Sequence, residues 1–529
     1  MDFDFRAIPG RLFGPDFSPP GYLAARWLFL RALGLIFFSA FYSLAFQIRG
    51  LIGPNGILPA KDYLAQVARV MGSARYWYAP TVFWWSSSDR FLMGVVIAGM
   101  LASLLLVLNV CPRGMLVVCL IAFLSFIAAA QDFASYQSDG MLLEAGFICL
   151  FFAPSGWRPR WGTSDPPSRA SSYLLVWLMF RIYFESGIAK ILGRDPEWRD
   201  FTAMDQYYQN GPLPTWIAWY AHQLPHAFHA ATAFLTLALE LVLIFAIFLP
   251  RRSRIALFFL ITAWQIGIIL TSNYAFLNYL VLILGFLLLD DRFLVRFFPK
   301  RWRLTAATSA DKQGAKPQTP GQNWRSILRL SVQAAFLTWI FYATSALLVL
   351  MVFPAAPLPA GPIRALEPFR FANEFGLFAV MTRDRYEIEF QGSNDGQNWT
   401  PYPFRNKPQD VHSPPRIYAP YQPRFDWNLW FASLGYWRQY PFVLNMEERL
   451  LEGEPDVLSL FSGNPFPGHP PVQIRAVLFQ YWFTGWKERR EDNLWWRREE
   501  IGLYSPTLER TSEGKIAVVD MPDALRDVR

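Results

Sequence analysis

RRSRIALFFLITAWQIGIILTSN, residues 251–273, decides the fold. Three arginines open it, an apolar run over 255–270 follows, and the loop around Asn273 carries no Lys or Arg. An apolar run with basic residues on one flank reads as a membrane-crossing helix whose basic end faces the cytoplasm. Runs of the same kind lie at 27–48, 91–110, 114–130, 140–153, 173–192, 227–249, 275–289 and 327–352. A bilayer core of about 30 Å takes about 20 helical residues, so the longer runs span it outright, and those around Met141 and Phe276 are the shortest. Hydrocarbon offers no partner to a free backbone amide, and the period-2 pattern of an outer-membrane barrel is missing, so the runs are read as helices, about nine, or one fewer.

The loop charges order these helices. With the amino terminus and its Arg6, Arg11 and Arg26 in the cytoplasm, four further loops fall inside. They carry Arg113; Arg158, Arg160 and Arg169; Arg251, Arg252 and Arg254; and Arg292, Lys300, Arg301, Arg303 and Arg325. The loops around Asp132 and Asp139 and around Asn273 fall outside without a Lys or Arg. Dropping one helix from the middle would break this alternation. Lys61, Arg69 and Arg75 in the first outer loop, and Arg194 and Arg199 in another, depart from it, in loops long enough to fold on the surface. The opening MDFDFRAIPG is polar and carries a proline, so no cleavable signal is expected.

The expected organisation is therefore an α-helical multi-pass bundle followed by a β-rich extracytoplasmic domain. Residues 1–289 hold the first eight spans, 290–326 a flexible cytoplasmic linker, 327–352 the last span and 353–529 the outer domain. With 53% hydrophobic residues and a mean hydropathy of +0.18, the 529-residue chain is too apolar for one soluble globule and too mixed for a bare bundle. The net charge of +8 is dispersed along membrane borders and the linker, which argues against a nucleic-acid partner. Cys111, Cys119 and Cys149 sit in or beside spans, leaving the outer domain without a disulfide and the chain without a C-x-x-C redox pair.

In the outer domain, Tyr386, Ile388 and Phe390 alternate with Glu387 and Glu389, SNDGQNW supplies a tight turn and TPYPF begins a return strand. A second strand is expected over 472–483 and a helical insert over 427–451, with a sandwich as the candidate arrangement. Asn398-Trp399-Thr400 fits an N-glycosylation tripeptide, and Trp399 also suits packing under the hairpin.

Chemistry is sought first in LMFRIYFESGIAKIL, which places Arg181, Glu185 and Lys190 in an apolar span. Charges at membrane depth are costly and face protein or a wet cavity. Arg181 and Glu185 are four apart and pair on one helix face, and Lys190, near the end, is expected to snorkel to the interface. Glu144 and Glu240 are candidates to extend the network to Arg181 or Arg31. HQLPHAFH gathers His222, His226 and His229, the metal candidates, but Pro225 interrupts their turn, so no metal and no other cofactor is assigned. The G-x-S-x-G, P-loop, H-E-x-x-H and dinucleotide patterns are absent.

Several long phrases resemble the lipase maturation factor family: GLIGPNGILPA (50–60), YQSDGMLLEAGF (136–147) and FRIYFESGIAKILGRDPEWRDFTAMDQYYQNGPLPTWIAWYAHQLP (180–225). EPFRFANEFGLFAVMTRDRYEIEFQGSNDGQNW (367–399), APYQPRFDWNLWFASLG (419–435) and NPFPGHPPVQIRAVLFQYWFT (464–484) continue it, so the resemblance covers most of the chain in order. It implies a polytopic protein needed for secreted lipases to mature, resident in the endoplasmic reticulum membrane of animals, with its carboxyl-terminal region in the lumen, and in the inner membrane of a bacterial cell. The family offers no established catalytic residues to carry over, and the resemblance implies lipases as clients, the client in a bacterial cell being open. SGIAKILGRDPEW is also similar to the membrane domain of vitamin K-dependent gamma-carboxylases, where a lysine in such a stretch is catalytic, and this implies a base at Lys190.

Two readings compete. In the leading one the protein is a membrane-anchored maturation factor, not an enzyme, touching membrane lipid and secreted clients. Trp427, Trp430, Trp437, Trp482, Trp486, Trp495 and Trp496 then either contact clients or, for most of them, fill the outer domain's own core or rest on the membrane surface. In the alternative, a membrane-embedded enzyme acts on a lipid or quinone-like substrate with Lys190 as base and Arg181, Glu185 and His222 lining its pocket. A transporter would show inverted repeats with broken helices, and no convincing pair is seen.

Overall fold

The computed structural model describes Leu12 and residues 21–299, 324–511 and 513–523. Arg6, Arg11 and the opening decapeptide, Lys300, Arg301, Arg303, the side chain of Arg325 and the linker sequence over 305–323 lie outside the described residues.

Each apolar run within the described residues is helical: α1 (Leu23–Ala45), α2 (Asp89–Val107), α3 (Pro112–Ile127), α4 (Gln137–Phe152), α5 (Arg169–Leu192), α6 (His226–Leu241), α7 (Arg251–Thr271), α8 (Leu277–Leu284) and α9 (Trp324–Val352). Their starts follow from local chemistry. Pro112 occupies the first turn of α3, where a missing N–H costs nothing, and the Ser168 hydroxyl accepts from Ser171 N to cap α5. Five helices are long and apolar enough to cross a membrane: Leu23–Ala45, Asp89–Val107, His226–Phe248, Arg251–Thr271 and Ile327–Val352. Pro112–Ile127 and Leu277–Leu288 are apolar but shorter. α4 and α5 differ for another reason: they are packed inside the bundle and carry Asp139 and Glu144, and Arg181, Glu185 and Lys190, on buried faces. A helix walled in by protein need not be apolar all round.

The loops that carry the basic residues meet at one end of the bundle. Arg26 donates to the carbonyls of Asp165, Trp161 and Gly162 at 2.7, 3.0 and 2.9 Å, tying α1 to the loop between α4 and α5. Arg113 and Arg329 reach the Asp165 carboxylate at 2.9 and 3.3 Å, and Arg251 pairs with Asp290. The described part of the expected linker is built into this end. Asp291 accepts from Leu23 N and Ala24 N at 3.0 and 2.8 Å, and Phe298 packs edge-on against Trp27 and Trp161. Residues 290–299 are thus not a free tether, because the open N–H groups at the start of α1 need an acceptor and Asp291 supplies it.

The carboxyl-terminal part covers the opposite end. Its six strands are β1 (Arg385–Ser393), β2 (Thr400–Pro401), β3 (Gln473–Phe483), β4 (Trp496–Leu503), β5 (Thr507–Arg510) and β6 (Ile516–Asp520). They form one antiparallel sheet in the order β2-β1-β3-β5-β6. β3 is the spine: β1 pairs along one edge from Arg385↔Tyr481 to Ser393↔Gln473, while β5 and β4 share the other. The hairpin reading holds, with Asp395 accepting from Gln397 N and Asn398 N at 2.9 and 2.7 Å to close the turn and Trp399 lying under Arg475. The sandwich does not. Among the described residues there is one sheet, and helices α10 (Arg424–Ser433) and α11 (Phe442–Glu452), the two halves of the expected insert, pack against β1 and β3 instead of a second sheet. Glu387 and Glu389 are also buried, the first paired with Lys407 at 2.8 Å and with Arg385, the second with Arg498 at 3.1 Å, so the polar residues of β1 are not a solvent face.

α11 offers a direct test of burial. Burial pushes the Glu447 carboxyl well above the usual carboxylate range, although Ser505 Oγ donates to it at 2.9 Å. A carboxyl raised in the folded state holds its proton there when the unfolded chain has already lost it. Stability therefore falls as pH rises from the unfolded value of about 4.3 toward the folded one. Glu447→Gln keeps the shape and removes the charge. It is expected to raise the melting temperature at pH 8 by about 2–4 °C, the worth of about 1 kcal/mol in a domain of this size, and by less at pH 5. An equal gain at both pH values would contradict the assignment.

Candidate functional site

The polar face of α5 is the centre of the structure, and a non-helical segment, 371–383, winds across it. Arg181 pairs with Glu144 of α4 and, at 3.5 Å, with Glu185. Its Nη1 also donates to Asn373 O at 2.8 Å, and its guanidinium lies over the Phe375 ring. Glu144 accepts from the Asn373 N–H and side-chain amide, both at 3.1 Å, and Glu185 from Phe375 N at 2.8 Å. Lys190 Nζ donates to Leu377 O at 3.0 Å and holds both Glu240 oxygens of α6 at 3.1 and 2.8 Å. Beyond the helix, Trp198 Nε1 donates to Phe378 O, Asp195 accepts from Met381 N at 2.6 Å, and Asn210 Nδ2 donates to Thr382 O and Arg383 O.

The physical logic is single. A stretch that is neither helix nor strand leaves its N–H and C=O groups open, and inside protein each needs a partner. The charged side chains of α4 and α5 are those partners, and the peptide groups in turn help to satisfy charges that would be costly alone. Two glycines admit the arrangement. A Cβ at Gly140 would stand 2.5 Å from Asn373 Oδ1, and one at Gly187 2.9 Å from Glu240 Cβ, so these two positions let the segment approach α4 and let α6 approach α5.

The structure does not bring Arg181, Glu185, Lys190 and His222 together around one pocket. Arg181 and Glu185 form one knot with Glu144. Lys190 does not snorkel: it turns inward to Glu240, because a full carboxylate inside the protein is a better partner than the membrane border. Its three hydrogens face Glu240, Leu377 O and, at 3.4 Å, Ser186 O. Arg31 stays out of the network and lies over Trp27. His222 is elsewhere, at the end of the helix Trp216–His222 with its ring against Phe483, and burial holds its imidazole below the usual value. His226 and His229 flank Asp205 at 2.8 and 2.7 Å, with Pro225 between them and His222. Among the described residues no three His, Cys, Asp or Glu side chains are grouped to hold a metal.

Sequence reading did not find the rest of this site. Asn373, Phe375 and Leu377 act through backbone groups, which no residue pattern advertises. Nor did it find how the outer part is keyed to the bundle. Arg424, fully buried at the start of α10, donates to both Asp139 oxygens at 2.7 Å, and Asn273 takes Tyr418 N and Ala419 N on its oxygen. Of the seven tryptophans, Trp427, Trp430, Trp495 and Trp496 are buried, Trp437 and Trp482 are half-buried, and Trp486 is exposed. Most of them are core.

Helices fit to cross a membrane, paired charges on the helices packed among them and an antiparallel sheet seated on one end define an integral membrane protein in two closely keyed parts. Residues 24–296 match the model of the lipase maturation factor transmembrane domain and residues 371–506 that of the lipase maturation factor C-terminal domain. The chain is 30% identical to lipase maturation factor 1 of Bos taurus, over 96% of this chain and 92% of that protein. It is 31% identical to lipase maturation factor 1 of Mus musculus, over 91% and 87%, and 30% identical to lipase maturation factor 2 of Homo sapiens, over 92% and 83%. No solved structure matches it. The chain belongs to the lipase maturation factor family.

Proposed function

We propose that this chain is a membrane-anchored maturation factor for exported proteins, lipases by its family, and that it acts as a scaffold through its sheet domain. The observation that carries the reading is the bonding of α5: its charges Arg181, Glu185 and Lys190 are each engaged in holding segment 371–383. Nine crossings, with the basic loops in the cytoplasm and residues 353–529 in the lumen or periplasm, agree with the gathering of Arg26, Arg113, Arg251 and Arg329 at the end away from the sheet. In a eukaryotic cell the membrane is that of the endoplasmic reticulum.

Cells lacking their own maturation factor, supplied with this chain and a secreted lipase, are expected to regain secreted lipase activity. Normal insertion of the chain with no gain in activity would reject the role. The double substitution Lys190→Met, Glu240→Gln removes the ammonium and leaves no bare carboxylate. Retained maturation, within about twofold, is the expected result, whereas loss with normal expression and melting behaviour would instead mark Lys190 as a base.

A further inference from the structure

Between α5, α7, α8, α10 and the 376–382 part of the docked segment lies a cavity of about 520 Å³. At about 30 Å³ per non-hydrogen atom, the share of a water in its liquid, it has room for about 17 atoms. That is one hydrocarbon chain with a small head. Ile182, Trp264, Leu277, Val281, Phe378 and Trp430 make its wall mostly apolar, and the exposed Val380 and Phe431 mark its mouth.

Polar side chains also border the cavity, and three of them are arranged in sequence. Asn278 Nδ2 donates to Gln265 Oε1 at 2.7 Å, and Gln265 Nε2 donates to the Tyr183 hydroxyl oxygen at 2.8 Å. Because that oxygen accepts, the Tyr183 hydrogen is the donor left over, and no acceptor takes it among the described residues. The indole N–H groups of Trp427 and Trp430, both on the wall, also lack a partner among the described residues. Glu240, fixed by Lys190, borders the same cavity, and its carboxylate can only accept. No Lys or Arg lines it.

We propose that this cavity binds an uncharged lipid alcohol, a single acyl chain carrying an ester and free hydroxyl groups, as in a monoacylglycerol. A hydroxyl accepts from Tyr183 and donates to Glu240, the indoles serve the ester carbonyl, and the chain fills the apolar wall. Rival chemistries fit less well. A fatty carboxylate finds no cation of its own on the lining, since Lys190 is already spent on Glu240. A two-chain phospholipid exceeds the volume, and a quinone brings acceptors only and offers nothing to the Glu240 lone pairs that Lys190 leaves over. The cavity lies where the bundle meets the carboxyl-terminal part, and the inference stands whether or not the sheet domain contacts clients.

The test uses the full-length protein in detergent micelles with a diazirine-bearing monoacylglycerol, followed by peptide mapping. Labelling is expected to saturate near one probe per chain and to fall on α5, α7 and α8 at cavity residues such as Ile182, Trp264 and Val281. Excess monodecanoylglycerol, whose size matches the cavity, is expected to compete, while decanoate and dioleoylphosphatidylcholine are not. Tyr183→Phe, which keeps the ring and removes the donor, is expected to raise the competing concentration about fivefold, the worth of one hydrogen bond of about 1 kcal/mol. Val281→Trp, which fills the cavity, is expected to abolish labelling at an unchanged melting temperature. If that variant fails to fold, Tyr183→Phe alone decides. Labels confined to outward residues such as Phe259 and Ile266, or equal competition by all three lipids, overturn the proposal.

Discussion

Arg181→Met is expected to cost about 3–5 kcal/mol, the penalty for removing one partner from a buried ion pair, which lowers the folded-to-unfolded ratio by about two to four orders of magnitude. The substitution leaves Glu144 and Glu185 beside each other without a cation, both fully enclosed, and Asn373 O without its donor. Fluorescence-detected size exclusion of the detergent-extracted protein should show aggregation or loss of the monodisperse peak. The cost belongs to the stranded carboxylates rather than to the lost guanidinium. The triple variant Arg181→Met, Glu144→Gln, Glu185→Gln is therefore expected to recover most of the folded protein. A single variant that folds normally would show that the knot does not hold the centre of the bundle.

Arg424→Met is the second large effect and acts at the other boundary, between sheet domain and bundle. Arg424 makes a two-pronged bond to Asp139 and a third at 2.7 Å to Phe133 O, with its guanidinium between the Phe126 and Tyr136 rings. Loss of the side chain is expected to cost about 3–5 kcal/mol and to open the 130–140 loop to protease. Arg424→Lys is expected to recover little, since an ammonium offers neither the planar fork nor the stacking. Arg424→Met combined with Asp139→Asn should be milder than Arg424→Met alone, and a double variant as damaged as the single one would argue against an ion pair at that boundary.

Much of the helical architecture is legible in the sequence because hydrocarbon imposes a rule that composition alone can reveal. The apolar runs are helices, and the basic loops between them meet at one end. The hairpin at Arg385–Pro401 is legible for a similar reason: alternation and an Asn-Asp-Gly turn are local signals. The single sheet in place of a sandwich is not, since whether a strand is faced by a helix or by another strand is decided by residues far away in the chain. At the site, Arg181, Glu185 and Lys190 are conspicuous and their acidic partners Glu144 and Glu240 can be nominated. What they do cannot be read, because their main partners are peptide groups nearly 200 positions later and a peptide group has no letter of its own. The outward reading of Lys190 fails for the same reason: snorkelling is the default for a lysine near a helix end only when nothing inside awaits it.

The lacing of 371–383 across α5 has a consequence for biosynthesis. A chain made from its amino end delivers α4 and α5 long before Asn373, Phe375 and Leu377 emerge. Until then the bundle carries charges short of their final partners, which keeps the unfinished chain marginally stable and open to proteolysis. Completion of the late segment thus reports to the early helices that the whole polypeptide has arrived, and a message truncated before residue 373 should yield a product that is cleared rather than a shortened bundle that persists.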